Sequence, residues 1–295
     1  MNKCAILSMD SLDDFEAYDQ LIEAPMAALG WQCETISWRK AEVNWNDYQA
    51  VVIRTPWDYQ NDAPAFLAVL QRIEASSAHL ANSLATVKWN IDKQYLQSLE
   101  QQGVSIVPTL WHSNLQSEQV APFFQQLGVE QLVIKPRISA NADNTFWLTK
   151  DNFEQYLPEL LTAFATDNFM VQPFIDSVIS EGEFSLFYFN GEYSHAILKT
   201  PKADDFRVQE EHGGRLTTIS PEPSLLAHAK TTMSALNDTI GMPLYARVDF
   251  VRHNDGFALM EAELIEPSLY FNMDDQSAER FANAFVTHMA AHTTK

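Results

Sequence analysis

Basic residues are scarce in this chain: 19 Lys and Arg stand against 39 Asp and Glu, a formal charge of -20. Docking on DNA, RNA or an anionic membrane needs a basic face, so polyanionic partners are excluded, although a small anion in a local basic pocket is not. Cysteine occurs only at Cys4 and Cys33, both inside apolar stretches that read as strands, which excludes a disulfide framework and a thiolate zinc site. Two core thiols in a reducing cytosol are expected instead. Long apolar runs are missing: none reaches the length of a membrane span, and the run after Lys3 is too short for a signal peptide, so a cytoplasmic location is expected. The 9 Gly and 13 Pro are scattered, leaving no low-complexity linker and no solenoid repeat.

What is present is core-forming material. With 46% apolar and 12% aromatic content, 295 residues can bury a large core as one multi-lobed unit or two to three small domains. In the first part, strands at Cys4 to Met9, Gln32 to Trp38, Ala50 to Arg54 and His79 to Ala81 alternate with helices around Tyr18 to Leu29 and Ala65 to Ile73. That alternation predicts a small parallel sheet covered on both faces, with ligands at the carboxyl ends of its strands. Arg54-Thr55-Pro56-Trp57-Asp58-Tyr59 follows such a strand end and reads equally as a capped loop or a substrate contact.

A smaller α+β region follows, with a helix over Ile91 to Gln102, a strand at Val104 to Pro108, a helix near Val120 to Leu127, strands at Gln131 to Lys135 and Thr145 to Leu148, and a helix near Phe153 to Phe164. Beyond it come a strand at Phe169 to Ile175, a hairpin at Asn190-Gly191, a helix over Leu225 to Ile240, a second hairpin and a final helix over Ala278 to His292.

The second hairpin pairs Leu244 to Arg252 with Phe257 to Leu264 around a three-residue loop, Asn254-Asp255-Gly256, whose glycine is expected in the left-handed region. In that register Asp249 faces Glu261, and Glu263 shares the face. Three carboxylates on one face of a buried sheet repel one another, so removing one is expected to stabilise the metal-free chain. A hard cation such as Mg²⁺ would relieve them, whereas a solvated face would lean on Arg247 and Arg252. Arg247 lies beside the carboxylates, where an anionic transition state would need it. Lys93 and Lys135 are further cations that could hold a phosphate chain, although a lysine closing a strand more often snorkels.

Two lysines, the apolar strand around Gln172, Gly182-Glu183-Phe184, then Asp249 with Glu261 and Glu263 form an ordered series. In this order the chain resembles the ATP-grasp ligases, the superfamily of glutathione synthetase and D-alanine:D-alanine ligase. Arg247-Val248-Asp249 followed by Glu261-Ala262-Glu263 carries the strongest likeness, with Glu263 where relatives usually have Asn. Arg54 to Tyr59, Trp89 to Lys93 and Glu263 to Ser268 resemble the group that includes D-cycloserine synthetase.

The resemblance implies an ATP-grasp fold behind a pre-ATP-grasp parallel-sheet domain, with residues 1–88, 89–170 and 171–295 as that domain, a small lobe and a large lobe carrying the metal site. It implies ATP with Mg²⁺ or Mn²⁺ as cofactors and small-molecule carboxylate and amine substrates. Lys93, Lys135 and Ser139 would hold phosphates, Gln172 and the Ile175 backbone the adenine, and Glu183 the ribose. Arg247, Arg207 and Lys199 would serve the chemistry, with His212 in a turn beside them. Asp249, Glu261 and Glu263 would hold metal, and Arg54, Trp57, Asp58, Glu266 and Ser268 would border the substrate. The loop over residues 137–145 has no glycine where relatives have a Gly-rich lid, leaving small residues such as Ser139, Ala140 and Ala142 for close backbone approach to phosphate. The activity implied is ATP-dependent carboxylate-amine ligation. Its rivals are an ATP-binding sensor or partner protein with a degraded lid, and a two-metal hydrolase that lacks its usual histidines.

Overall fold

The computed structural model describes residues 1–13, 15–139, 143–203, 205–210 and 213–292. The first strands, β1 (Asn2–Ser8), β2 (Trp31–Ser37), β3 (Ala50–Thr55) and β4 (His79–Ala81), form a parallel sheet in the order β2-β1-β3-β4. Helices α1 (Glu23–Ala28) and α2 (Ala63–Glu74) connect them. Every residue of β3 is buried, as a strand covered on both faces requires.

The chain then turns through α3 (Leu84–Asn90) and α4 (Tyr95–Gln101) rather than the single helix expected over Ile91 to Gln102. Side-chain bonding favours the break: the Gln94 amide donates to the Asp92 carboxylate at 2.9 Å, a local bond that competes with helix. Tyr95, Leu96, Leu99, Val104 and Ile106 join the core of a later five-stranded sheet. The strand expected at Val104 to Pro108 is only an isolated bridge from Ile106 to Leu259; the strand itself is β5 (Leu110–Ser113).

β5 opens a four-stranded antiparallel sheet with β6 (Gln131–Pro136), β7 (Phe146–Thr149) and β8 (Asn168–Pro173), ordered β5-β8-β6-β7. Helices α5 (Ser117–Leu127) and α6 (Phe153–Phe164) cover it through Phe123, Phe124, Leu160 and Phe164.

After α7 (Ser177–Ser180), strands β9 (Glu183–Phe189), β10 (Glu192–Thr200), β11 (Arg215–Thr218), β12 (Tyr245–His253) and β13 (Gly256–Glu263) build the third sheet, ordered β11-β10-β9-β12-β13. Asn190 and Gly191 both take positive φ between β9 and β10, the two-residue turn their sequence favours. Helix α8 (Pro223–Ile240) covers one face. On the other, Phe281, Phe285 and Met289 of α9 (Ser277–His292) fill the space between Phe187 and Phe189 of this sheet and Ile6 and Trp31 of the parallel one.

The acidic hairpin reaches its expected register by an unexpected route. His253 pairs with Gly256, so the loop has two residues, and Asn254 rather than Gly256 takes the left-handed conformation, at φ 51°. The missing residue is supplied at Met260: Phe250 pairs with Leu259 but Asp249 with Glu261, a bulge. Before it, Phe257 and Leu259 face the core beneath α8; after it, Ala262 and Leu264 do. Glu261 and Glu263 are thereby turned to the opposite face.

Candidate functional site

That opposite face forms one wall of a cleft of about 420 Å³ between the antiparallel sheets. Asp249 and Arg247 project from β12 and Glu261 and Glu263 from β13, in directly opposed pairs, Asp249 with Glu261 and Arg247 with Glu263. Lys199 and Glu183 are likewise opposed on β10 and β9. Gly182 precedes Glu183 at φ 122°, and a Cβ there would come within 2.6 Å of the Lys199 carbonyl oxygen, so glycine is what brings the two backbones together.

The edge strand β13 is held by side chains acting as a surrogate strand. Asn90 donates to the Ala262 carbonyl at 2.8 Å and accepts from the Leu264 amide at 3.0 Å, while the Ala262 amide donates to the Tyr95 hydroxyl at 2.8 Å. Asn82 does the same further on, bonding Tyr245 O, Leu264 O and Leu244 N. A buried Asn or Tyr has no signature in a single sequence, so these supports went unread.

Each carboxylate has a cationic partner, which offsets in part the mutual repulsion expected from the sequence. Glu261 lies 3.0 Å from Lys93 Nζ, which also donates to the Ser139 carbonyl at 2.8 Å. Burial opposes ionisation of Glu261, but Lys93 and Lys135 outweigh it and hold its pKa below the usual value. Asp249 accepts from Ser185 Oγ at 2.6 Å and from Arg247 Nε at 3.1 Å, with Lys199 Nζ at 3.5 Å; burial is again outweighed, and its pKa is lowered. Glu263 is hydrogen-bonded to Arg247, yet burial and its acidic neighbours push it up to about 7. Arg252, the other candidate partner, pairs instead with Glu181 and Glu222, away from this cluster.

Arg247 thus donates to Asp249, Glu263 and, at 3.2 Å, the Ser268 carbonyl, which fixes its guanidinium plane. Burial works against the charge on Lys199, but Asp249 and Glu183, the latter at 2.5 Å, overcome it and raise its pKa. Lys135 has the reverse balance: burial lowers its pKa despite Glu261.

The cleft brings together most of the residues singled out in the sequence: Lys93, Lys135, Ser139, Gln172, Ile175, Glu183, Lys199, Arg207, Arg247, Glu261, Glu263, Trp57, Glu266 and Ser268. Gln172 donates to Thr109 at 3.0 Å, and the Ile175 carbonyl accepts from Val178. Arg207 pairs with Asp205 at 2.9 Å. Asp249 lies beneath the wall, 2% exposed, behind Arg247 and Lys199.

Arg54 and Asp58 are elsewhere. Arg54 is fully buried and does not line the cleft; with two bonds of 3.1 Å to Asp19 and one of 2.9 Å to the Pro267 carbonyl it ties β3 to the segment after β13. Asp58 accepts from Trp38 Nε1 at 2.6 Å and Arg39 Nε at 2.7 Å. Trp57 does reach the cleft, donating to the Glu266 carbonyl at 2.8 Å. Tyr59, the last residue of the motif that begins at Arg54, lines the cleft too, as do Phe15, Glu16 and Tyr270, which no motif in the sequence announces; the Phe15 and Trp57 ring centroids are 5.4 Å apart. Ala140, Ala142 and His212 lie outside the described residues.

Chemically, the wall offers only carboxylate oxygens as ligands, the donor set of a hard cation, with lysine and arginine charges placed for a polyanion. Residues 4–82 match the family model of the D-cycloserine synthetase DcsG N-terminal domain, and residues 105–245 match that of the prokaryotic glutathione synthetase ATP-grasp domain. The chain belongs to the ATP-grasp ligases. It is 28% identical over 298 residues to the cycloserine biosynthesis protein DcsG of Streptomyces lavendulae, covering 91% of this chain and 92% of that one. The crystal structure of D-cycloserine synthetase DcsG superposes with a TM-score of 0.88 at 26% identity, covering 98% of this chain and 100% of that one. D-alanine–D-alanine ligase from Bacillus anthracis complexed with ATP gives a TM-score of 0.71 at 13% identity over 99% and 98% of the two chains, a likeness of fold.

Proposed function

We propose that this chain is an ATP- and Mg²⁺-dependent ligase that joins a small carboxylate to an amine on an amino-acid-like or peptide-like substrate. The observation that carries the proposal is the one cleft in which Glu261 and Glu263 meet Arg247, Lys93 and Lys199, with Asp249 directly beneath them. The oxygen-only ligand set fits Mg²⁺, which those three carboxylates would hold. When bound, ATP would supply the phosphoryl group and Mg²⁺ would neutralise its charge as the substrate carboxylate becomes an acyl phosphate, from which the amine, attacking the acyl carbon, would then displace inorganic phosphate.

The remaining work falls to the chain. Lys93 and Lys135 bind phosphate oxygens, Lys93 keeping Ser139 close as it does so. Gln172 and the Ile175 backbone take the adenine edge, and Glu183 the ribose hydroxyls. Lys199 and Arg207 serve the transferred group. Arg247, already oriented by Asp249 and Glu263, stabilises the oxyanion of the tetrahedral intermediate.

Substrate lies toward Trp57, Glu266 and Ser268. The Ser268 hydroxyl supports this placement, since it lines the cleft, is buried and has no hydrogen-bond partner among the described residues. The cycloserine biosynthesis protein's name supports an amino-acid-derived substrate. The test is ADP release over a panel of amino acids, dipeptides, and ureido and hydroxylamine derivatives, with Mg²⁺ or Mn²⁺ present or withheld. Metal-dependent ADP release with one carboxylate-amine pair is expected. ATP binding without release from any pair would replace the ligase with an ATP-binding sensor or partner protein.

A further inference from the structure

Three histidines, none of them lining the cleft, converge where the last helix meets the edge of the parallel sheet. His79 opens β4, its backbone fixed by a 3.0 Å bond from its amide to the Gln49 carbonyl. His288 and His292 are one helical turn apart in α9 and so share a face. The Nε2 atoms of His79 and His288 are 3.1 Å apart, and each of the three rings offers a nitrogen within 4.8 Å of the others. Ring centroids are 4.3 Å apart for His288 and His292 and 4.6 Å for His79 and His292.

We propose that His79, His288 and His292 bind a divalent transition-metal ion, Zn²⁺ being the one this donor set suits, and so clamp the C-terminal helix to the parallel sheet. Tetrahedral zinc with Zn–N bonds of about 2.0–2.1 Å separates neighbouring ligand nitrogens by about 3.3 Å. The 3.1 Å gap between His79 and His288 is close to that spacing. Two histidines four residues apart on a helix are a recurrent zinc-binding pair. The orientation of His292 is also set: its Nδ1 is 2.7 Å from the His288 carbonyl, which can only accept, so Nδ1 carries the proton and Nε2 presents a lone pair. All-imidazole donors favour Zn²⁺ and its first-row neighbours over Mg²⁺, so this site and the all-oxygen wall of the cleft would select different ions.

The test uses the full chain after chelator treatment, with Mg²⁺ in excess to occupy carboxylate sites. Zn²⁺ is titrated by calorimetry, and Co²⁺ is added separately as a visible probe of coordination. One equivalent of Zn²⁺, a raised melting temperature and the intense visible bands of tetrahedral Co²⁺ are expected. Because changes outside the ligand set alone cost about 10- to 100-fold in metal affinity, His292→Ala and His79→Ala should each weaken Zn²⁺ at least ~100-fold. His292 is exposed, so its replacement leaves the fold in place and should leave ATP binding in the cleft unchanged. The proposal is overturned if wild type shows no Zn²⁺ binding above the His292→Ala background, if Co²⁺ keeps its octahedral spectrum, or if both variants bind Zn²⁺ as tightly as wild type. The three rings would then be a stacked packing cluster.

Discussion

Replacing Glu261 by Gln should destabilise the chain in the absence of ATP and metal, the reverse of what repulsion between carboxylates predicts. At 3.0 Å and an effective dielectric constant of about 20, the Lys93–Glu261 attraction is roughly 5 kcal/mol before desolvation. The side chains are 10% and 26% exposed, so water screens part of that. The Ser139 carbonyl still accepts from Lys93 after substitution, and glutamine still offers an oxygen, so a net loss of about 1–2 kcal/mol remains. With an unfolding entropy near 2.1 cal/mol/K per residue, that is a fall of about 2–3 °C in Tm for 295 residues.

The assay is thermal melting of wild type, Glu261→Gln, Lys93→Met and the double variant without ATP or Mg²⁺, closing a cycle whose coupling should be about 1–2 kcal/mol. Because Lys93 and Lys135 hold Glu261 below its ordinary pKa, its contribution is present above that value and lost as the pH falls. Adding ATP with Mg²⁺ should raise the Tm of wild type and not of Glu261→Gln. A coupling near zero, or a Glu261→Gln chain that melts higher than wild type without ligands, would refute the pairing.

Lys135→Ala should cost about 1.5–3 kcal/mol of ATP affinity, roughly 10- to 100-fold by calorimetry, because the charge-assisted contact is sheltered; unchanged affinity would remove Lys135 from the nucleotide site. Glu266 is pushed up to about 8, chiefly by burial and then by Glu263. A carboxyl with a raised folded pKa contributes stability below its ordinary value near 4.5 and loses it as pH rises through about 8. Melting temperature should therefore decline across that window and decline less in Glu266→Gln; equal slopes would contradict the shift. Arg54→Ala should destabilise by about 3–5 kcal/mol in denaturant titration, since Asp19 is left in a buried pair without its partner, and a loss under 1 kcal/mol would show that the pair carries little.

The elements of the fold were legible where period and turn chemistry agreed: the alternating first strands, the Asn190-Gly191 hairpin, and α6 at its observed limits. They were not legible where long-range bonding decides. Nothing local announces that Asn90 spends its side chain on β13, yet together with the Asp92 turn it separates α3 from α4. β5 carries Trp111 and His112, and its strand state comes from pairing with β8, more than fifty residues on.

In the cleft the residue types could be read but their partnerships could not. Arg54 looked like a substrate contact because it ends a strand beside Trp57, but Asp19, 35 residues upstream, claims it. The repulsion inferred for Glu261 ignored Lys93, which lies 168 positions away in sequence and 3.0 Å away in space.

The bulge at Met260 makes the acidic wall a matter of counting. On a strand, each residue is assigned inside or outside by whether its position is odd or even, and the extra residue reverses that assignment between Leu259 and Glu261. A hairpin one residue shorter at this point would send both glutamates beneath α8, among Leu186, Val248 and Phe250, with every side chain unchanged. Chain length between Phe250 and Glu261, more than the identity of any residue within it, decides which compartment receives the negative charge.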